Sequence, residues 1–255
     1  MNILRKVTLS IKSIGFFSTL YKIIKYPYNF FFEKIKIRKI LSYSSIEERF
    51  TAIHASNYWG DPYSLSGPGS NLESTKNIVK QLPVLINKFN ISSILDAPCG
   101  DFYWMKNVLN KVNVIYLGGD IVEKIIDSNN KKYKSQKTNF TKINIISDNL
   151  PSADLMICRD CLFHFSYNDI FMFFNNFISS NIKFLLVTSH QNENNKFLNK
   201  NIMTGAFRKI DLFSEPFNFS KTFIFSIQDK DKFDTSNYKH LYLFSHKDIK
   251  SFLGN

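Results

Sequence analysis

The sequence predicts an α/β fold in which helices cover both faces of a mostly parallel sheet. Three observations carry this. Short apolar runs of strand length, SSILDA, NVIYLGG, ADLMIC and IKFLLVTS, recur along the chain. They are continuous rather than alternating, as strands buried on both faces are. Segments of helical period lie between them, which is the order that lays strands parallel.

Taken in order, LESTKNIVKQLPVLINKF places Ile78, Val79, Leu82, Leu85 and Ile86 on one helical face. SSILDA (92–97) is a strand, FYWMKNVLNK (102–111) a helix and NVIYLGG (113–119) a second strand. A helix follows near 122–134, then FTKINI as a strand, ADLMIC as a strand, a helix from Tyr167 to Ser180, and IKFLLVTS as a strand. After residue 220 the pattern changes. TFIFSIQ, the charged turn DKDKFDTSN and KHLYLFS read as two strands with no helix between, hence an antiparallel pair at one sheet edge.

The 255 residues, 44% hydrophobic, can bury one large core. The net charge is +12, and residues 1–40 hold nine Lys/Arg against the single acid Glu33. Phe16, Phe17, Phe30, Phe31, Phe32 and several Ile and Leu lie among those charges, so residues 1–50 form either a helical cap or a basic segment resting on anionic lipid. The uncharged runs there are too short to span a bilayer, and no cleavage site follows. No groove-reading motif accompanies the charge, so nucleic acid is not expected. Cys99, Cys158 and Cys161 are odd in number and lie in predicted core, which fits a reducing cytoplasm. Cys158 and Cys161 form a CxxC pair, but no second pair or spaced His completes a metal site.

The turn ILDAPCGDFYW (94–104) leaves the first sheet strand, where α/β proteins bring backbone closest to ligand. A pyrophosphate there would need several glycines, and only Gly100 is present. Asp96 and Asp101 replace them, and these would repel phosphate and suit a cation. Asp120 ends the next strand, twenty residues after Gly100, where a carboxylate accepts ribose hydroxyls. S-adenosylmethionine combines an ammonium, a sulfonium and a free ribose. Each acid could instead cap a helix or close a turn.

Residues 51–255 resemble class I S-adenosylmethionine-dependent methyltransferases, in particular a bacterial group with three ordered blocks. They read here WGDPYSLSGPGSNLEST (59–75), LDAPCGDF (95–102) and CRDCLFH (158–164), with a later block at 199–217. The resemblance implies a Rossmann-like, seven-stranded sheet with an antiparallel edge pair. It also implies O-methylation of a sugar or phosphate-type group on a surface-polysaccharide precursor. By position, Asp96 and Gly100 would line the methionine part, Asp120 the ribose and Ile121 the adenine, with Asn144 where an acid is usual. Ala97, Asp101, Phe102 and Ser70 fall on the same cofactor side, and Trp59, Ser66, Gly67, His190 and Arg208 on the acceptor side. SLSGPGS (64–70) is either a lid or a tight connection capped by Ser70 or Asn71. Asn201 and Phe207 depart from the group's usual Asp and Trp.

The loop after the fourth strand gathers the chemistry. His164 could take a hydroxyl proton, Asp160 four residues earlier could orient it, and Arg159 could hold an anionic acceptor. Alternatively Arg159 and Asp160 pair structurally and His164 is a core histidine. Two further functions stay open: a nicotinamide-dependent sugar oxidoreductase, and a noncatalytic membrane-associated binding protein on the same fold.

Overall fold

The computed structural model describes residues 31–192, 196–230 and 238–254. The chain divides into two compact units, Met1–Ser44 and Ser45–Asn255. In the first, residues 31–41 are helical. The remainder of the basic segment, residues 1–30, lies outside the described residues, as do residues 231–237, where the sequence reading expects a charged turn.

In the second unit, helices α1 (Ile46–Ala55), α2 (Leu72–Lys88), α3 (Met105–Leu109), α4 (Glu123–Tyr133), α5 (Tyr167–Ile178) and α6 (His246–Leu253) alternate with seven strands. The strands are β1 (Ser93–Asp96), β2 (Ile115–Asp120), β3 (Thr138–Lys142), β4 (Leu155–Cys158), β5 (Phe184–His190), β6 (Phe225–Lys230) and β7 (Tyr238–Ser245). They pair in the order β3-β2-β1-β4-β5-β7-β6. Strands β1 to β5 are mutually parallel, and β7 inserts antiparallel between β5 and β6. The expected parallel sheet with an antiparallel edge pair is thus present.

Successive strand residues feed opposite cores, as a period of two requires. Leu155, Ile157, Tyr116 and Phe140 pack with α2, α3 and α4, whereas Met156, Leu185, Val187 and Phe244 pack under α5 and α6. Phe173, Phe174 and Phe177 of α5 are fully buried there. Helix α2 carries Pro83 in its interior. A proline has no N–H to give the carbonyl four residues back, and Lys111 Nζ donates to that Val79 carbonyl at 3.2 Å instead.

Three elements differ from the sequence reading. The helix expected from Phe102 starts at Met105, because Phe102 sits at φ +59° and the turn extends past it. Strand β3 ends at Lys142; Ile143 and Ile145 are buried, but Asn144 turns the backbone, its side-chain oxygen accepting from Ile146 N at 3.1 Å. Helix α6 is absent from the sequence reading, although Ser245 and Asp248 form a capping box at its start.

The strand starts are tied by Asp154, just before β4. Its carboxylate accepts from Ser92 N at 2.8 Å and Ser93 N at 3.1 Å and pairs with Lys183 Nζ at 2.6 Å. The Lys183 and Ser92 bonds hold this carboxyl well below the usual carboxylate range. A depressed folded-state pKa stabilises above the unfolded value of about 3.9, and that stability is lost as pH falls through the folded pKa. Asp154→Asn should therefore be less stable than the parent in urea at neutral pH, with the gap closing below about pH 4; a gap independent of pH would overturn the assignment.

Candidate active site

The strand order reverses between β1 and β4, and α/β sheets open a crevice beyond the strand tips at such a point. A cleft lies there, about 980 Å³ with its open mouth included. Asp96, Gly100, Asp120, Ile121, Asn144 and Ser70 line it, together with Trp59, Ser66, Arg159, Asp160 and His164. Eleven of the residues singled out from the sequence therefore share one space.

Asp96 ends β1 and is buried, its carboxylate accepting from Tyr116 Oη at 2.7 Å. Burial pushes its pKa up to about 7 against the Tyr116 hydrogen bond and the Arg159 charge. Asp120 ends β2 and accepts from Gly100 N at 3.1 Å and Val122 N at 3.0 Å. Burial lifts it to about 6. Two buried carboxylates poised near neutrality would gain from a positive ligand, which restores the charged form that burial penalises. Ile121, Val122, Ile125 and Ile143 supply apolar wall beside Asp120.

Several expected contacts fall elsewhere. Asp101 does not face the cleft: its carboxylate accepts from Ser64 Oγ at 3.1 Å and Leu65 N at 2.9 Å, and its own N donates to Ser66 Oγ at 3.0 Å. It fastens the 64–70 loop to the β1 turn. A Cβ on Gly100, already at φ +56°, would stand 2.2 Å from Ser66 Oγ, so glycine is required for this approach. Phe102 is a core residue packed on Tyr116, Tyr133 and Phe140. Ala97 is fully buried behind the turn, its N donating to the Ile157 carbonyl at 2.9 Å. Gly67, at φ +90°, packs against Trp59 and does not line the cleft.

The two arginines are engaged by the protein itself. Arg208 donates to the carbonyls of Leu162 and Phe165, each at 2.8 Å, which fixes the loop after β4 and leaves no fork for an acceptor. Arg159 grips Asp229 of β6 with Nε and Nη2, both at 3.0 Å, and gives Nη2 also to the Gly69 carbonyl at 2.7 Å. Asp160 in turn holds Lys239 of β7 at 2.6 Å. Burial pushes the Asp160 carboxyl up, but Arg159 and Lys239 outweigh it and keep it well below the usual range. Two cations and two anions balance in this buried group. Asp160 sits at φ +52°, a conformation that its bonded neighbours impose. Asp229 falls in the stretch read from sequence as a charged turn, but it belongs to β6, and nothing in the local sequence distinguishes it or Lys239 from solvated charges.

Asp160 is consequently not the partner that orients His164. That role falls to the Ala206 carbonyl, 2.8 Å from His164 Nδ1. A carbonyl only accepts, so Nδ1 carries the proton and Nε2 is left as an acceptor. Burial holds the imidazolium pKa down at about 4. Trp59 lies 5.3 Å from the His164 ring, and Phe50, Phe163 and Phe207 surround it. His190 is buried behind this wall, its Nδ1 3.2 Å from both the N and the carbonyl oxygen of Ile210, and it does not line the cleft. The three cysteines are free and buried.

No protein-family model matches the sequence, and no curated protein matches it. The fold does have solved counterparts. Magnesium protoporphyrin IX methyltransferase from Synechocystis PCC 6803, with bound SAH, superposes with TM-score 0.55 at 11% identity, covering 78% of this chain and 97% of its own. Human N-acetylserotonin methyltransferase in complex with SAM gives 0.56 at 13% identity, covering 88% and 68%. A SAM-dependent methyltransferase from Leishmania major gives 0.55 at 13%, covering 79% and 87%. The larger unit thus has the Rossmann-like fold of class I methyltransferases.

Breaking a buried ion pair by removing one partner typically costs about 3–5 kcal/mol, since the other charge is stranded. Asp229→Ala, which leaves Arg159 and Lys239 to share the single carboxylate of Asp160, should be destabilised to that degree in guanidinium unfolding. A loss below about 1 kcal/mol would show the buried group to be solvated.

Proposed function

We propose that the protein is an S-adenosylmethionine-dependent methyltransferase that methylates a neutral hydroxyl, with a sugar of a surface-polysaccharide precursor as the acceptor class. The single observation that carries this is the pairing of two buried carboxylates, Asp96 and Asp120, on adjacent strand tips with a neutral imidazole across the same cleft. The fold's solved counterparts with SAM or SAH bound support the cofactor, and the SGPGS, LDAPCGDF and CRDCLFH blocks support the acceptor class.

When bound, S-adenosylmethionine supplies an electrophilic methyl group on a sulfonium. Asp96 would hold the ammonium end. Asp120 keeps acceptor capacity beyond its two backbone bonds and would take ribose hydroxyls. Ile121, Ile125 and Ile143 offer apolar surface to a base, and Asn144, whose side-chain oxygen and backbone N are already engaged, has its amide nitrogen for it. His164 Nε2 accepts the proton of the attacking hydroxyl while Ala206 holds the ring's orientation. Trp59 and Phe50 give a flat apolar wall of the kind sugar rings rest on.

A phosphate-type acceptor is disfavoured by charge. Among the described residues, the one Lys or Arg lining the cleft is Arg159, and its fork is taken by Asp229 and Gly69. A dianion brought beside Asp96, Asp120 and Asp160 would meet repulsion that Arg159, so engaged, does not offset.

Calorimetric titration should show binding of S-adenosylhomocysteine and none of NAD. His164→Gln should lower kcat about 10²- to 10³-fold on a sugar-hydroxyl acceptor and leave S-adenosylhomocysteine affinity unchanged. With a conjugate-acid pKa of about 4, the acid limb of the parent's kcat/KM profile should fall well below the ordinary histidine range. Undiminished turnover by His164→Gln would remove the base from the mechanism.

We also propose that the basic segment within residues 1–40 rests on an anionic membrane surface. In its described part, Phe31, Phe32 and Ile35 are exposed beside Lys34, Lys36, Arg38 and Lys39. No helix among the described residues is long and apolar enough to cross a membrane. The protein should co-sediment with phosphatidylglycerol vesicles at low salt, less at high salt, and not with pure phosphatidylcholine; equal behaviour on both lipids would reject the proposal.

A further inference from the structure

Helix α1 lies outside every motif considered above, yet one of its faces walls the cleft. Ile46, Phe50 and His54 all line it, and a spacing of four residues stacks them on a single helical stripe about 12 Å long. The stripe is laid across both halves of the site. At its start, Glu47 pairs with Lys142 at the tip of β3, 2.6 Å away. In its middle, Phe50 meets the rings of His164 and Phe165 at 6.5 and 6.0 Å. At its end, His54 lies within the electrostatic reach of Asp101, next to Gly100, and of Lys124, in the first turn of α4 beyond Asp120. His54 thus lines the same cleft as Gly100 and Asp120.

His54 is the polar member of an otherwise apolar stripe, and it is incompletely bonded. Its Nδ1 is buried and has no hydrogen-bond partner among the described residues. An orphaned buried polar atom is costly, and natural structures satisfy nine in ten of them. With no partner fixing the tautomer, either ring nitrogen can carry the proton, and the ring can act as donor or acceptor. Burial lowers its pKa, so the ring enters as a neutral group. Nearby, the Asp101 carboxylate is committed to Ser64 Oγ and Leu65 N, and Gly100 N to Asp120.

We infer that His54 is a nucleoside-contacting residue, carried by α1 as the cover of the cofactor half of the cleft, and that its ring hydrogen-bonds the sugar or base of the bound cofactor. The inference rests on the methyltransferase reading and adds a contact from outside the sheet. Helix α1 is seated by the buried Ile53 and by Ile46 and Phe50, which pack on the core. The Glu47–Lys142 pair is solvent-facing, and Arg49 reaches the Thr204 carbonyl at 3.2 Å.

The test compares His54→Phe, which keeps a ring without nitrogen, with His54→Gln, which keeps a donor and an acceptor. The probes are S-adenosylhomocysteine and adenosine, titrated by calorimetry. His54→Phe should bind both about five- to tenfold more weakly, the equivalent of one neutral hydrogen bond, and His54→Gln should recover most of the loss. Thermal melting of the two unliganded variants serves as the folding control, and a ring-for-ring exchange in a half-buried site should leave it near the parent. Parent binding with unchanged His54→Phe affinity overturns the inference alone. Equal losses in both variants also overturn it, since a merely structural role would show no rescue. Failure of the parent to bind S-adenosylhomocysteine overturns the cofactor assignment as well.

Discussion

The buried square of charges formed by Arg159, Asp160, Asp229 and Lys239 is the constraint on which the site's architecture depends. No member could be buried alone, since an isolated ion in a low-dielectric interior is prohibitively unstable. Together they cancel, and each ion also meets a specific partner: a carboxylate fork, an ammonium or the Gly69 carbonyl. The group joins the end of β4 to the two antiparallel strands on one side and to the 64–70 loop on the other. Gly69 is needed at that junction because a Cβ would stand 2.8 Å from Asp160 Oδ2. The loop that edges the cleft is therefore pinned twice, by Asp101 at residues 64–66 and by Arg159 at residue 69.

This double pinning gives the motifs a physical division of labour. DAPCGDF contributes Asp96 and Gly100 to the cleft, and its second acid, Asp101, is spent on holding the loop. CRDCLFH contributes a neutral histidine, with Arg159 and Asp160 turned inward to the ion group. Arg208 bonds the carbonyls of Leu162 and Phe165 and so sets the height at which His164 meets the cleft. The residues that face ligand are thus few, and their immediate neighbours in sequence serve to position them.

What can be read from the sequence follows from this division. Strand-tip acids announce themselves: an apolar run that ends in Asp before a turn and a helix sets the carboxylate at the ligand-binding edge of the sheet, and Asp96 and Asp120 both stand in the cleft. The alternation of apolar runs with helical segments likewise foretells the sheet and its antiparallel edge. Residues whose role depends on a distant partner are not legible. Nothing local marks Asp229 as the counter-ion of a residue 70 positions earlier, or directs Arg208 toward carbonyls rather than an acceptor. Asp101 reads as a ligand contact because a carboxylate at a turn looks the same whether it faces a cation or a set of loop donors. Tyr116, the donor to Asp96, is hidden among the strand's apolar residues, and α1 carries no motif at all.

The placement of β7 bears on how the molecule comes into being. Among the described residues, strand β6 pairs only with β7, and β7 alone joins it to β5. During synthesis β6 therefore emerges with no edge it can join, and it waits for a later strand to slot in beside β5. Until Lys239 arrives on that strand, Asp160 has Arg159 alone as its counter-charge. The parallel half can condense while the chain is still being made, but the buried ion group is completed only when β7 arrives.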